Sequence, residues 1–167
     1  MTGPHWRPAY VGIGSNLDSP AKQVAQAVET LRALPDCVLV SESGLYRSSP
    51  MGPADQPDFI NAVVALVTRN SAHELLRQLQ EIEQTHGRVR DGECWGPRTL
   101  DLDLLAYAGL IIDDEDLTVP HPGIAARNFV LLPWREITPN YRLPQQADIA
   151  AMANRISLSE PRIERID

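Results

Sequence analysis

The stretch Leu100-Asp101-Leu102-Asp103-Leu104-Leu105 constrains this chain more than any other. Alternation in a strand puts Leu100, Leu102 and Leu104 on one face and Asp101 and Asp103 on the other. A buried strand carrying two carboxylates must give them cationic partners, because unpaired buried charge is expensive. Arg98, just upstream, is one candidate; a divalent metal is the better one. Residues two apart in a strand lie roughly 6.6 Å apart at Cα and point the same way. Their carboxylates can converge on one or two ions, since paired catalytic metals sit ~3.5–4 Å apart. Oxygen ligands without a Cys or His cluster favour Mg²⁺ over zinc. The competing reading is an edge strand with ordinary solvated aspartates, and D-x-D spacing alone separates the two only modestly.

The pattern on either side supplies a fold class. Residues 9–16 read as a strand ending in a Gly-Ser-Asn turn. Ser19 as N-cap and Pro20 at the first helical position open a helix. Val24, Ala27, Val28, Leu31 and Leu34 keep its spacing, and Pro35 closes it. Residues 37–48 read as a second strand. Residues 49–57, with three prolines and a glycine, form a loop. The apolar run 59–67 is the clearest strand. Ser71 with Glu74 forms a capping box for a helix lined by Leu75, Leu76, Leu79 and Ile82, with Gly87 as C-cap. Residues 88–98 make a long loop, and the strand 100–106 follows. A short strand pair around 110–112 and 117–119, a turn at Pro120-His121-Pro122, a partial helical pattern over 123–137 and a last helix over 148–156 complete the chain. The order strand, helix, strand, strand, helix, strand is the βαββαβ of ferredoxin-like α+β folds, with an added C-terminal strand pair and helices. The 167 residues suit a single domain with a real core, and tails at about 1–8 and 157–167 are expected to be loosely held.

Composition narrows the function classes. A chain 43% hydrophobic and 22% charged belongs with soluble globular proteins. No apolar run approaches the ~20 residues that span a bilayer, and residues 1–8 lack a secretory h-region. A cytoplasmic location is expected. Cys37 and Cys94 are far apart and outside any CxxC pair, so both read as reduced thiols. The net charge of −7 argues against a nucleic-acid partner. Of the 15 basic residues only Lys22 is a lysine, so any anion held by side-chain cations is held mostly by Arg.

Four further features are candidates for chemistry. Arg88, Arg90 and Arg98 crowd one loop against the aspartates, a local reversal of sign that can clamp a polyphosphate. The plainer reading is a solvated loop paired with Asp91 and Glu93. Phe59 and Asn61 share a strand face, an aromatic beside an amide that suits a flat heterocycle, although a core Phe with a locally satisfied Asn is the simpler account. Trp95 is a lid anchor or a surface aromatic, and His121 contacts phosphate or braces its turn. Gly12-x-Gly14 lacks the third glycine of a dinucleotide fold and the Gly-Lys-Ser/Thr of a P-loop, so it reads as a tight turn. No Ser-His-Asp or Cys-His arrangement is visible in the spacing.

Trp95-Gly96-Pro97-Arg98-Thr99-Leu100-Asp101-Leu102-Asp103 resembles the signature of the 6-hydroxymethyl-7,8-dihydropterin pyrophosphokinases. Gly12-Ile13-Gly14-Ser15-Asn16-Leu17, residues 52–61 and Leu117-Thr118-Val119-Pro120-His121 resemble further segments of that family, in order, so the likeness covers about residues 9–145. It implies transfer of the β,γ-diphosphate of ATP to a pterin hydroxymethyl group in folate biosynthesis, with release of AMP. Asp101 and Asp103 would hold two Mg²⁺ ions, and Arg88 and Arg98 would stabilise the transferring group. Gln80, Glu83, Arg90, Trp95, Leu104, Thr118, His121 and Arg127 match nucleotide-contacting positions. Ser48, Ser49, Pro50, Met51, Phe59, Asn61, Trp95 and Phe129 match the pterin pocket. Residues 49–58 and 88–97 would close over ATP before chemistry. A monomer acting on small molecules is expected. The sequence departs from the family's common pattern at Ser48-Ser49 (a Thr-Pro pair), Phe59 (Tyr), Asp116 (Arg) and Pro122 (Tyr). Two readings from other classes stand beside this one. One is a ferredoxin-like binding module with a regulatory metal; the other is a metal-dependent phosphatase or nuclease.

Overall fold

A computed structural model describes residues 5–50, 55–86, 100–159 and 161–167. The expected strand–helix order is present, as β1 (Arg7–Ser15), α1 (Pro20–Arg32), β2 (Cys37–Glu42), β3 (Tyr46–Ser48), β4 (Phe59–Thr68), α2 (Ala72–Thr85) and β5 (Asp101–Tyr107). Beyond it come β6 (Ile112–Asp113) paired with β7 (Thr118–Val119), a 3₁₀ turn at Ile124–Ala126, α3 (Asn128–Ile137), α4 (Ile149–Arg155) and β8 (Ile163–Arg165). Among the described residues the main sheet has the order β5-β1-β4-β3-β8, with β2 also paired to β4. Every pairing in it is antiparallel.

Strand alternation divides the core into two layers. Ala9, Val11 and Ile13 of β1, Ile60, Ala62, Val64 and Leu66 of β4, and Leu102 and Leu104 of β5 face α1 and α2. Their neighbours Tyr10, Val63, Ala65 and Ala106 face α3 and α4, where Trp134, Leu131, Leu143 and Ile149 are fully buried. The stabilisation is of ordinary kind, about 1.5–3 kcal/mol for each large apolar side chain removed from water.

Local signals explain most boundaries. The Ser71–Glu74 capping box forms in both directions, each bond 3.2 Å long. His86 occupies the C-cap of α2, and Gly87 lies outside the described residues. Asp148 caps α4 by accepting the Ala151 N–H at 2.8 Å.

Five expectations are corrected. Ser19 stands at the N-cap of α1 in a left-handed conformation, φ 61°, and its side chain makes no capping bond. Gly12 and Gly14 lie inside β1 rather than in a turn. The second strand divides into β2 and β3, because the chain leaves the ladder at Ser43-Gly44-Leu45. Arg7 and Pro8 are not frayed: they pair with Thr68 and Val67. The last residues are not loose either. Ile163–Arg165 pairs with β3, and the Ile166 N–H donates to Leu45 O at 2.9 Å.

Candidate active site

The site lies on the α3–α4 face of the sheet, at the end those helices do not cover. Cross-strand partners in an antiparallel ladder share a face. Gly14 pairs with Asp101 on one side and with Asn61 on the other, and Asn61 pairs with Tyr46. The next row pairs Asp103 with Gly12 and Gly12 with Val63. The aspartates and Asn61 are therefore two strand spacings apart, roughly 10 Å, with only glycines between them. A side chain on Gly14 would begin 3.4 Å from Asn61 Oδ1 and 3.9 Å from Phe59 Cδ1. Gly12 is buried beneath Leu105, whose Cδ2 lies 3.5 Å from where its Cβ would stand, whereas Gly14 is half-buried and leaves room among the described residues beside Asn61, a usual reason for glycine in a strand interior.

On the acidic side, Asp101 and Asp103 are both half-buried and point the same way, as the alternation requires. Arg127 approaches Asp103, Nη1 to Oδ2 3.7 Å, and its guanidinium stands over the Phe129 ring at 5.9 Å. His121 is tied to β5, its backbone N–H donating to Leu105 O at 2.9 Å. The Gly123 N–H donates to His121 Nδ1 at 3.0 Å, so the neutral ring carries its proton on Nε2. Burial depresses the His121 pKa, Arg127 depresses it further, and nearby Asp101 opposes them.

Behind the strand, Glu83 is buried and its Oε2 accepts the Leu102 N–H at 2.8 Å. The bond ties α2 to the backbone between the two aspartates. Gln80, one turn earlier, is half-buried, and Thr118 is exposed on β7. The structure does not bring the Leu104 side chain to the aspartates' face: it is in the core beneath α1 and α2. Only its backbone remains for a ligand.

On the amide side, Asn61 is 4% exposed. Its Nδ2 donates to Ser48 Oγ at 2.9 Å and to Tyr46 O at 3.3 Å. With the amide nitrogen turned to β3, Oδ1 is the atom facing Gly14. Phe59 and Phe129 are half-buried, and the Ser49 N–H donates to Arg162 O at 2.9 Å. Pro50 is half-buried at the rim. Met51, Arg88, Arg90, Trp95 and Arg98 lie outside the described residues.

Two buried polar residues are structurally central and were not expected. Asn16 Nδ2 donates to Gln56 Oε1 and to Pro57 O, both at 3.0 Å, and so pins the segment before β4 to the end of β1. The available signal was their position in two segments of family-like sequence, Gly12–Leu17 and residues 52–61. Asp116 and Pro122 are exposed. Among the described residues no three His, Cys, Asp or Glu side chains gather as a metal cage. Two carboxylates on one strand face fit Mg²⁺ well, since that ion is usually held by one or two carboxylates with water and substrate phosphates.

An antiparallel α+β sandwich carries paired carboxylates and a buried amide on one face of its sheet, and comparison supplies the family. Residues 10–139 match the model of the family described as 7,8-dihydro-6-hydroxymethylpterin-pyrophosphokinase (HPPK). The chain is 49% identical over 135 residues to the 2-amino-4-hydroxy-6-hydroxymethyldihydropteridine pyrophosphokinase of Pseudomonas aeruginosa, covering 81% of this chain and 83% of that one. It is 42% identical over 159 residues to the enzyme of the same name from Methylorubrum extorquens, covering 95% and 98%. A crystal structure of Plasmodium falciparum HPPK-DHPS with pteroate has a similar fold, with TM-score 0.71 and 13% identity over 92% of this chain. This chain spans 43% of that longer one. The chain belongs to the HPPK family. It is an ATP-dependent pyrophosphokinase of folate biosynthesis, with the ferredoxin-like fold expected.

Proposed function

We propose that the chain transfers the β,γ-diphosphate of ATP to the hydroxymethyl oxygen of 6-hydroxymethyl-7,8-dihydropterin. The new bond forms between that oxygen and the β-phosphorus. The bond from the β-phosphorus to its bridge with the α-phosphate breaks, and AMP leaves. The observation that carries this reading is the paired register Asp101–Gly14–Asn61, which sets an acidic group and an amide on one face, two strands apart, with a glycine between them.

Asp101 and Asp103 would hold two Mg²⁺ ions, which when bound neutralise triphosphate charge and lower the pKa of a coordinated hydroxyl. The protein's own work is positioning and electrostatics. Asn61 Oδ1 accepts from an N–H edge of the heterocycle, while Phe59 and Phe129 supply apolar faces for its plane. Ser48, Ser49, Pro50 and Met51 form its rim. His121 Nε2–H and Arg127 donate to phosphate oxygens. Gln80, Glu83, Arg90, Thr118, Trp95 and the Leu104 backbone surround the nucleotide, with Trp95 also reaching the pterin. Glu83 does so while holding Leu102 in place. Arg88 and Arg98 stabilise the transferring group, and residues 49–58 and 88–97 close over ATP before chemistry.

We further infer a single-domain, cytoplasmic monomer that binds small molecules and no nucleic acid, supported by the net charge of −7. No helix among the described residues is long and apolar enough to cross a membrane. One titration tests the reading. Calorimetry should show the pterin binding only when Mg²⁺ and a non-hydrolysable ATP analogue are present, and ATP should yield AMP rather than ADP. Release of inorganic phosphate without pterin would instead indicate a phosphatase.

A further inference from the structure

Asn61 is held by acceptors that belong to β3, and β3 is short. Its ladder to β4 has three pairs, Tyr46–Asn61, Arg47–Ile60 and Ser48–Phe59. The chain just before it, Ser43-Gly44-Leu45, lies outside any strand. Ser43 still bonds Val63 of β4 through its N–H and its hydroxyl, each at 3.0 Å, but the Gly44 and Leu45 N–H groups take their partners from outside the ladder. Glu136, at the far end of the helix that begins with Asn128 and Phe129, is in position to hold this segment. Its Oε1 accepts the Tyr46 hydroxyl at 2.8 Å, and its Oε2 accepts the Gly44 N–H at 2.9 Å. Arg165 Nε of β8 donates to Oε1 at 3.2 Å. The C-terminal segment closes the same corner, where Asp167 Oδ1 accepts the Leu45 N–H at 2.7 Å. The packing is close enough that a Cβ on Gly44 would fall 2.6 Å from Arg165 Nη2.

Charges agree with this geometry. Burial alone would raise the Glu136 carboxyl, but the Tyr46 hydroxyl, the Gly44 N–H and Arg165 together hold it below its ordinary range. The Tyr46 hydroxyl is pushed up to about 12 by burial first and then by its bond to Glu136, so it stays a donor.

We propose that Glu136 is a positioning residue for the heterocycle pocket. It locks the end of α3 to the β2–β3 corner, and so fixes Phe129 on α3 relative to Ser48 on β3 and Asn61 on β4. The path is continuous: Glu136 holds the Tyr46 side chain, and the Tyr46 carbonyl and Ser48 hydroxyl hold the Asn61 amide. The proposal rests on the assignment of Asn61 to the pterin. It adds that a carboxylate and a C-terminal strand outside the Asp101–Gly14–Asn61 row set how the amide is presented. Arg165 and Asp167 lie beyond residues 10–139, so this half of the corner is outside the part matched by the family model.

The test separates positioning from mere folding. Pterin affinity is measured calorimetrically with Mg²⁺ and a non-hydrolysable ATP analogue, beside kcat and the KM for ATP. Glu136→Ala should weaken pterin binding about tenfold while kcat and the KM for ATP stay within about twofold, since small misplacements of a binding group are costly. Glu136→Gln, which keeps an acceptor for the Tyr46 hydroxyl, should recover most of the loss. Tyr46→Phe should move the same parameter by about threefold, and it decides the matter if Glu136→Ala does not fold. A folded Glu136→Ala protein with lower Tm and unchanged pterin affinity overturns the proposal if Asn61→Ala still weakens pterin binding. Unchanged affinity in Asn61→Ala removes the pocket assignment, and the proposal with it.

Discussion

The two faces of the sheet are made by alternate residues of the same strands, yet they differ in what they tolerate. Beneath α1 and α2, Val11, Leu66, Leu79 and Leu100 belong to a closed apolar layer. On the other face, α3 and α4 cover Tyr10, Ala65 and Ala106 but stop short of the row Asp101–Gly14–Asn61. The closed face holds the strands in place. The half-covered face uses that rigidity to present a carboxylate, an open space and an amide at fixed spacing. A rigid sheet is a better mount for such groups than a loop, because their separation is set by strand geometry.

Four substitutions would break or sharpen this contrast, from the largest effect to the smallest. Asp103→Ala, on the open face, should lower turnover by about a thousandfold or more, since it removes one of two candidate metal ligands. Its Tm should change little. Near-normal AMP release would sink the two-carboxylate assignment. Leu79→Ala, on the closed face, should cost about 3 kcal/mol in denaturant unfolding by opening a cavity. Activity per folded molecule should be retained, and a specific loss of kcat would mean that the faces are not separable.

Gly14→Ala tests the space itself. The new methyl fits by contact distance and should leave stability within about 1 kcal/mol, but it intrudes on the space beside Asn61 Oδ1 and Phe59. Pterin affinity should fall about tenfold with ATP affinity kept. The smallest effect concerns pH. His86 Nδ1 bonds Gln23 Oε1 at 2.6 Å, joining α2 to α1, and burial lowers the His86 pKa. The unfolded chain therefore binds this proton more readily. The contribution from burying the neutral ring is present above the ordinary His value of about 6.5 and is lost as pH falls below it. His86→Gln should flatten the decline of Tm between pH 7 and 5, and an unchanged slope would remove His86 as its source.

Much of this contrast was legible in the residues. The aspartates' shared face, the order of the main elements and the Ser71–Glu74 capping box follow from period and spacing. What was missed has long-range causes. The pairing of β8 with β3 joins residues more than a hundred positions apart through three residues, too few to show a pattern. The break after Glu42 sets one extra residue against β4, since Glu42 pairs with Val64 and Tyr46 with Asn61, and the Gly44 N–H goes to Glu136 instead. Gly12 and Gly14 looked like a turn because glycine more often marks one. Their role depends on which residues lie across the neighbouring strands, and periodicity does not carry that. The Ser19 side chain, expected to cap, turns away because its backbone is left-handed. The arginines of residues 88–98 stay outside the described structure, and their place rests on family likeness.

The bond between Glu83 and the Leu102 N–H has a consequence apart from catalysis. Among the described residues β5 is the outer strand of the sheet, and an outer strand with free N–H groups is a template on which another chain can build. Glu83 covers that template at its middle with a buried carboxylate on a helix. A visiting strand would have to displace it to pair at Leu102. The strand that carries the aspartates is thereby made a poor nucleus for intermolecular sheet growth, so the same contact that steadies the site also keeps one molecule from sticking to the next.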